Sequence, residues 1–202
     1  QVVSPESQPM PVAGPVVGSH VVSMLEASGI KYMPNTTVKA IKADKKELEA
    51  ADGKNIPYDM LIGVPAHGAP NVIKNSSVAG ETGWIPVNAR TLETKIENVY
   101  AIGDVTSIPL PAGKPLPKAG VFAHLEAEVV AHNIAAKIKG APASSEFDGR
   151  GYCFVELGDG RAGFAKGNFY AEPAPAVSLY RPGMHWHIGK VLFEKLWLWK
   201  WF

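Results

Sequence analysis

Residues Thr91 to Thr106 read TLETKIENVYAIGDVT, and no other stretch constrains the fold as much. A charged lead-in gives way to four apolar residues, Val99-Tyr100-Ala101-Ile102, and the run stops at Gly103-Asp104. A short apolar run closed by a turn signal predicts a buried strand whose carboxyl end opens into a loop. In open parallel sheets, ligands bind beyond the carboxyl ends of the strands. Gly103 lets another group approach the backbone closely. Asp104 places a carboxylate there that can accept hydrogen bonds from a sugar-like hydroxyl.

Thr91, the apolar run and Ala101-Ile102-Gly103-Asp104 together resemble the second flavin-binding motif of flavoproteins with two dinucleotide-binding domains. The resemblance implies that Gly103 and Asp104 bind FAD, with the aspartate holding a ribityl hydroxyl.

A chain of 202 residues suits one large domain or two small ones. A net charge of +1 gives no reason to expect a nucleic-acid partner. The single cysteine, Cys153, excludes an intrachain disulfide and a Cys-x-x-Cys motif. No apolar run approaches the length of a bilayer span. The first residues lack the basic start and long apolar block of a signal peptide, so a cytoplasmic chain is expected.

Taken in order, residues 1–12 are extended and Pro-rich. Val16, Val17, Val21, Met24 and Leu25 recur at helical spacing up to Gly29. A strand is expected at Ile30-Lys31-Tyr32. Thr37 to Ala43 alternates as a half-buried strand, and Leu48 to Ala50 follows a charged turn. Ile56 to Val64 leads into a further buried strand. Helix, strand, hairpin, strand is the layout of the back half of a nucleotide-binding α/β domain. No G-x-G-x-x-G fingerprint follows a strand anywhere in the chain.

Residues 66–98 form a crossover with a short strand at Trp84 to Val87. After Asp104 a Pro/Gly-rich loop ends at Pro117-Lys118-Ala119-Gly120, where a helix begins. Its expected apolar face is Val121, Leu125, Val129, Ile134 and Ile138, and Gly140 ends it. A helix start carries unsatisfied N–H groups and partial positive charge, to which Lys118 adds a full charge. Such a place would stabilise a flavin ring with negative charge at its pyrimidine end. The flavoprotein resemblance puts Lys118 and Gly120 beside that ring. His124 and His132 are eight apart, not the four of a zinc-binding helix, and read as polar helix-face residues rather than metal ligands.

Beyond a linker at 141–149, Gly151 to Phe164 reads as a hairpin turning at Gly158-Asp159-Gly160. A strand-like run passes through Phe169-Tyr170. The last residues, MHWHIGKVLFEKLWLWKWF, read as a helix in which Lys195 and Lys200 interleave with tryptophans. Such a helix belongs either to a core or dimer contact or to the membrane interface, where aromatics and lysines favour the headgroup level.

Gly-Tyr-Cys-Phe at 151–154, Glu-Leu-Gly-Asp-Gly at 156–160 and the terminal His-x-x-Lys-x-x-Phe-Glu-Lys resemble the carboxyl-terminal region of sulfide:quinone oxidoreductases. The resemblance implies an α/β fold: an incomplete Rossmann-like flavoprotein with two dinucleotide-binding domains, plus a C-terminal hairpin and helix. Its segments are the back half of the second nucleotide domain (1–66), the returning part of the FAD domain (67–142) and a C-terminal hairpin and helix (143–202). It further implies that Cys153 handles sulfur near the flavin, that Phe193 lines a quinone pocket and that Lys190 lies close by. Sulfide and quinone are then the substrates, and the family's partner cysteine comes from a part of the protein outside these residues. By itself, Cys153 reads as a small buried hydrophobe in a strand, the more common fate of a lone cysteine. The rival readings are a type II NADH dehydrogenase, against which the cysteine-bearing hairpin argues, a flavocytochrome sulfide dehydrogenase subunit, and an inactive oligomerising module. Without the first glycine motif, these residues alone are expected to hold FAD weakly or not at all.

Overall fold

The computed structural model describes residues 1–111 and 113–202, which divide into two units, Gln1–His67 and Gly68–Phe202. In the first, β1 (Val2–Val3) pairs in parallel with β2 (Tyr32–Met33), and α1 (Pro15–Ala27) forms the crossover between them. Pro15 opens the helix, where its missing N–H costs no hydrogen bond. Gly29, at φ +72°, closes it, and the Ile30 N–H reaches back to the Leu25 carbonyl at 2.9 Å. Val17 is the apolar anchor of this helix, 3% exposed.

An antiparallel meander follows: β3 (Val38–Lys42), β4 (Glu47–Ala50) and β5 (Asn55–Pro57), with Leu48, Ala50 and Ile56 buried. The expected buried strand over 56–64 forms only as far as Pro57. Met60, Ile62 and Val64 are 80%, 86% and 83% exposed. A strand is buried by its neighbours, and none of the described strands pairs with these residues.

The second unit begins with a one-turn helix, α2 (Asn71–Lys74). Next, β6 (Ile85–Pro86) pairs in parallel with β7 (Thr106–Ser107). This corrects the expectation for Val99 to Ile102. The sheet pairing lies after Gly103-Asp104, not before it. Of the four apolar residues Ala101 is buried, Val99 is 37% exposed, and Tyr100 makes an isolated bridge to Glu93. Residues Gly103–Val105 form a single 3₁₀ turn. The run is held by local pairing, Thr94 N–H to the Val99 carbonyl and Ala101 N–H to the Leu92 carbonyl, and not by a sheet on both sides.

The long helix α3 (Gly120–Ile138) buries Phe122, Glu126, Val130 and Asn133. These share one face at i, i+4, i+8 and i+11. The expected face is displaced from this one, and Ile138 is 81% exposed. The two polar members of the buried face are satisfied by backbone. Glu126 accepts from Gly103 N–H, and Asn133 exchanges two hydrogen bonds with Ser145, at 2.9 and 3.0 Å. The linker at 141–149 is thereby pinned, and its Phe147 packs edge-on against Phe122 and Tyr170.

A second antiparallel sheet has the order β10-β9-β8, from β8 (Arg150–Gly158), β9 (Arg161–Asn168) and β10 (Ala176–Gly183). The β8–β9 turn is Asp159-Gly160, both at positive φ, as a two-residue hairpin requires. Phe169-Tyr170 is a turn and not a strand, since its chain must reverse to reach β10. Gly151 is required sterically: a Cβ there would lie 2.3 Å from the ring of the buried Phe122. The chain ends in α4 (Met184–Trp201), whose Trp186 stacks on Phe164 of β9 with ring centres 4.5 Å apart. Among the described residues, no helix is long and apolar enough to cross a membrane.

Candidate functional site

Two neighbouring features meet at the start of α3. The first is the turn that carries Asp104. Gly103 sits at φ +68°, and a Cβ there would lie 3.0 Å from the Ala123 Cβ of α3, so only glycine fits comfortably. The turn is held from three directions. Thr106 Oγ1 donates to the Gly103 carbonyl at 2.8 Å. Gly103 N–H donates to Glu126 Oε2 at 2.6 Å. Lys118 Nζ donates to the carbonyls of Asp104 and Thr106. The Asp104 side chain is exposed, free to face a ligand.

Lys118 also sits 3.7 Å over the ring of Trp84. Desolvation pushes its pKa down, and the negative charges of Asp104 and Glu126 oppose that shift. Glu126 is the reverse case. It is 1% exposed, and burial pushes its carboxyl above the usual range. The Gly103 hydrogen bond works against that rise, Asp104 adds to it, and Lys118 counters it. A cavity of about 10 Å³ lies among these groups, lined by Gly103, Thr106, Lys118 and Glu126 among others.

The second feature is a larger, predominantly apolar cavity of about 500 Å³ between the start of α3, the outer side of β8 and α4. Ala119 and Gly120 line it from α3, Cys153 from β8, and Lys190, Phe193 and Trp197 from α4. Local sequence explains how these meet. The linker pinned to Asn133 of α3 leads directly into β8, which sets Tyr152, Cys153 and Phe154 beside the start of α3. On α4, residues 186, 190, 193 and 197 form one helical stripe facing that surface. Phe193 lies 6.3 Å from Phe154, and Trp197 meets His124 edge-on at 4.9 Å. Outside the cavity wall, Glu156 ties the helix down through His187 Nδ1 at 3.0 Å and Lys190 at 3.9 Å.

Of the residues named from sequence, Gly103, Asp104 and Lys118 cluster at the turn. Gly120, Cys153, Lys190 and Phe193 line the larger of these two cavities. Cys153 is therefore not a core residue of the strand. Its Sγ is 3.3 Å from the Phe154 carbonyl, and the apolar surroundings push the thiol pKa up even though the residue as a whole is exposed. Sequence reasoning gave no place at the site to Glu126, Trp84, His124 or Trp197. Glu126 had one available signal: it falls on the helical stripe between Phe122 and Val130.

Comparison with known proteins identifies the chain's relatives. The chain is 29% identical to the sulfide-quinone reductase of Aquifex aeolicus over 188 residues, which is 85% of this chain and 41% of that protein. It is 30% identical over 119 residues to the mitochondrial sulfide:quinone oxidoreductase of Mus musculus, covering 58% of this chain and 25% of that one. The crystal structure of the Aquifex aeolicus enzyme superimposes with a TM-score of 0.82 at 27% identity, over 98% of this chain and 48% of that structure. The chain thus spans less than half the length of these relatives. The family model for pyridine nucleotide-disulphide oxidoreductase matches residues 1–133, a span that includes the Gly103–Val105 turn, Lys118 and the opening of α3. With its mixed α/β fold and its relatives in agreement, the chain belongs to the pyridine nucleotide-disulphide oxidoreductase family and is related to sulfide:quinone oxidoreductase.

Proposed function

We propose that this chain is the carboxyl-terminal part of an FAD-dependent sulfide:quinone oxidoreductase. The observation that carries the reading is the 500 Å³ cavity, which sets the lone thiol of Cys153 against the start of α3 on one side and Phe193 and Lys190 on the other. An apolar cavity of this size suits a quinone ring, with few polar groups to orient it.

The residues present fit part of the flavin. Asp104 offers an exposed carboxylate on a glycine turn pinned from three directions, suited to a ribityl hydroxyl. Gly120 stands at a helix N-terminus with open space where a Cβ would be, suited to the negative pyrimidine end. Lys118 supplies positive charge there while its ammonium is anchored on two carbonyls. When bound, FAD supplies a two-electron acceptor between sulfur and quinone.

In the sulfur step, hydrosulfide attacks Cys153 Sγ in a disulfide shared with a partner cysteine from outside these residues: the Cys–Cys bond breaks, Cys153 carries the persulfide, the partner leaves as a thiolate, and the two electrons lost by sulfide are those that a bound flavin would pass on to quinone. The quinone takes up two electrons and two protons to become the quinol, with Lys190 placed to donate a proton inside the cavity. Phe193 provides an apolar surface for the ring. Because one thiol cannot close a disulfide, a partner cysteine from outside these residues completes the sulfur relay. On α4 the stripe Ile188, Leu192, Leu196 and Trp199 is turned to solvent, with Trp199 84% exposed. This apolar stripe, with Lys195 and Lys200 beside it, suits a membrane surface from which a lipid-soluble quinone enters.

The test is sulfide-dependent quinone reduction by the full-length protein that carries this chain. Cys153→Ala is expected to lower turnover by roughly 100-fold or more. Unchanged turnover removes the sulfur-handling role.

A further inference from the structure

The flavin reading above leaves one buried acid without a role. Glu126 projects from the second turn of α3, is 1% exposed, and makes its hydrogen bond not within its own helix but to the N–H of Gly103, at 2.6 Å. That N–H belongs to the first residue of the 3₁₀ turn, which has no strand partner there. Lys118, two residues before α3, holds the far side of the same turn through the Asp104 and Thr106 carbonyls. The turn is thus clamped between two side chains that both originate at the start of α3.

A buried carboxylate is costly unless it is hydrogen-bonded or paired, and here the Gly103 N–H supplies that bond. An apolar side chain in this face would pack equally well beside Phe122 and Val130 but would leave the Gly103 N–H unpaired. A longer-range effect follows from geometry. The Gly103–Val105 turn carries Asp104, and α3 carries the helix N-terminus, so a bond between the two fixes the distance between that carboxylate and the helix start.

We propose that Glu126 is a positioning residue for the cofactor: its carboxylate ties the Gly103 amide to α3 and so sets the Asp104 carboxylate relative to the helix N-terminus. This rests on the flavin reading of the site. The charged and titratable groups that act on Glu126 are Asp104 and Lys118 at the turn, and it is coupled to the Tyr170 hydroxyl beyond β9.

The experiment has a readout free of turnover. In the ¹⁵N-labelled 202-residue chain, the Gly103 amide resonance is followed with pH. It is expected to titrate with a midpoint above the ordinary carboxylate value, in the direction that burial pushes Glu126. In Glu126→Gln this titration disappears while the amide stays protected, because the side-chain oxygen still accepts. In Glu126→Ala, Gly103 amide exchange accelerates roughly 10- to 100-fold, whereas amides of β8 and β9 keep their rates. In the full-length protein, the FAD dissociation constant rises roughly 10- to 100-fold in Glu126→Ala and returns to within about threefold of wild type in Glu126→Gln. If Glu126→Ala does not fold, Glu126→Leu, which keeps the side-chain volume beside Phe122 and Val130 but offers no acceptor oxygen, takes its place in both the exchange and the FAD measurements. A Gly103 amide indifferent to pH and to both substitutions overturns the anchor while leaving the flavin reading intact. An amide that responds alongside an FAD affinity that does not shows a structural bond only, and overturns the positioning role. A wild-type full-length protein that never takes up flavin overturns both readings.

Discussion

The turn bearing Asp104 and the cavity bearing Cys153 both border the start of α3, yet they are built by opposite means. At the turn, polar groups are matched partner by partner: Gly103 N–H with Glu126, the Gly103 carbonyl with Thr106, and the Asp104 and Thr106 carbonyls with Lys118. At the cavity, the walls are mostly rings and apolar side chains from β8, α4 and the start of α3. Hydrogen-bonded geometry of the first kind tolerates little displacement. Packed apolar surface of the second kind adjusts by small side-chain shifts and accepts occupants of several shapes. A rigid feature suits one invariant cofactor, and an adaptable one suits a lipid-soluble substrate.

That contrast is tested most severely by paired substitutions. Gly103→Ala must adopt a left-handed backbone and bring a Cβ to 3.0 Å from Ala123, so it should cost about 3 kcal/mol in urea unfolding. Phe193→Ala, on a side chain 43% exposed at the cavity wall, should cost about 1.5 kcal/mol. Equal losses, or a larger one at Phe193, would erase the distinction between a rigid turn and an adaptable wall. A smaller effect sharpens the cavity side. Burial raises the Cys153 thiol pKa, so the neutral thiol is favoured over the thiolate. Its alkylation rate in this chain should therefore go on rising at pH values where an ordinary thiol has levelled off. A plateau at or below the ordinary thiol value would mean that a positive group, not apolar surface, governs the sulfur.

The difference between the regions also explains which parts could be read from residue order. The hairpin was visible because Asp159-Gly160 is a local turn signal, and α1, α3 and α4 were visible because a 3.6-residue repeat is local. The 56–64 and 99–102 runs were misjudged because an apolar run becomes a buried strand only when partners flank it, and partners are a tertiary matter. Strand β10 carries little local signal, since Pro173 and Pro175 precede it and Pro182 falls within it. Glu126 and Asn133 broke the apolar pattern of α3 and shifted the expected face. Their acceptor and donor roles belong to backbone 23 and 12 residues away in sequence. The residues named for chemistry fared differently: Cys153, Lys190 and Phe193 are far apart in sequence order from Gly120, and the fold sets all four around one cavity.

The central claim is that this cavity receives a quinone beside the only thiol of the chain. The most direct measurement is the rate of maleimide labelling of Cys153, read by mass as a single adduct, with and without a fully substituted short-chain quinone that cannot itself add a thiol. The account predicts that labelling slows in a saturable way as quinone is added, and that Phe193→Ala weakens this protection. Labelling at the same rate under saturating quinone would contradict it.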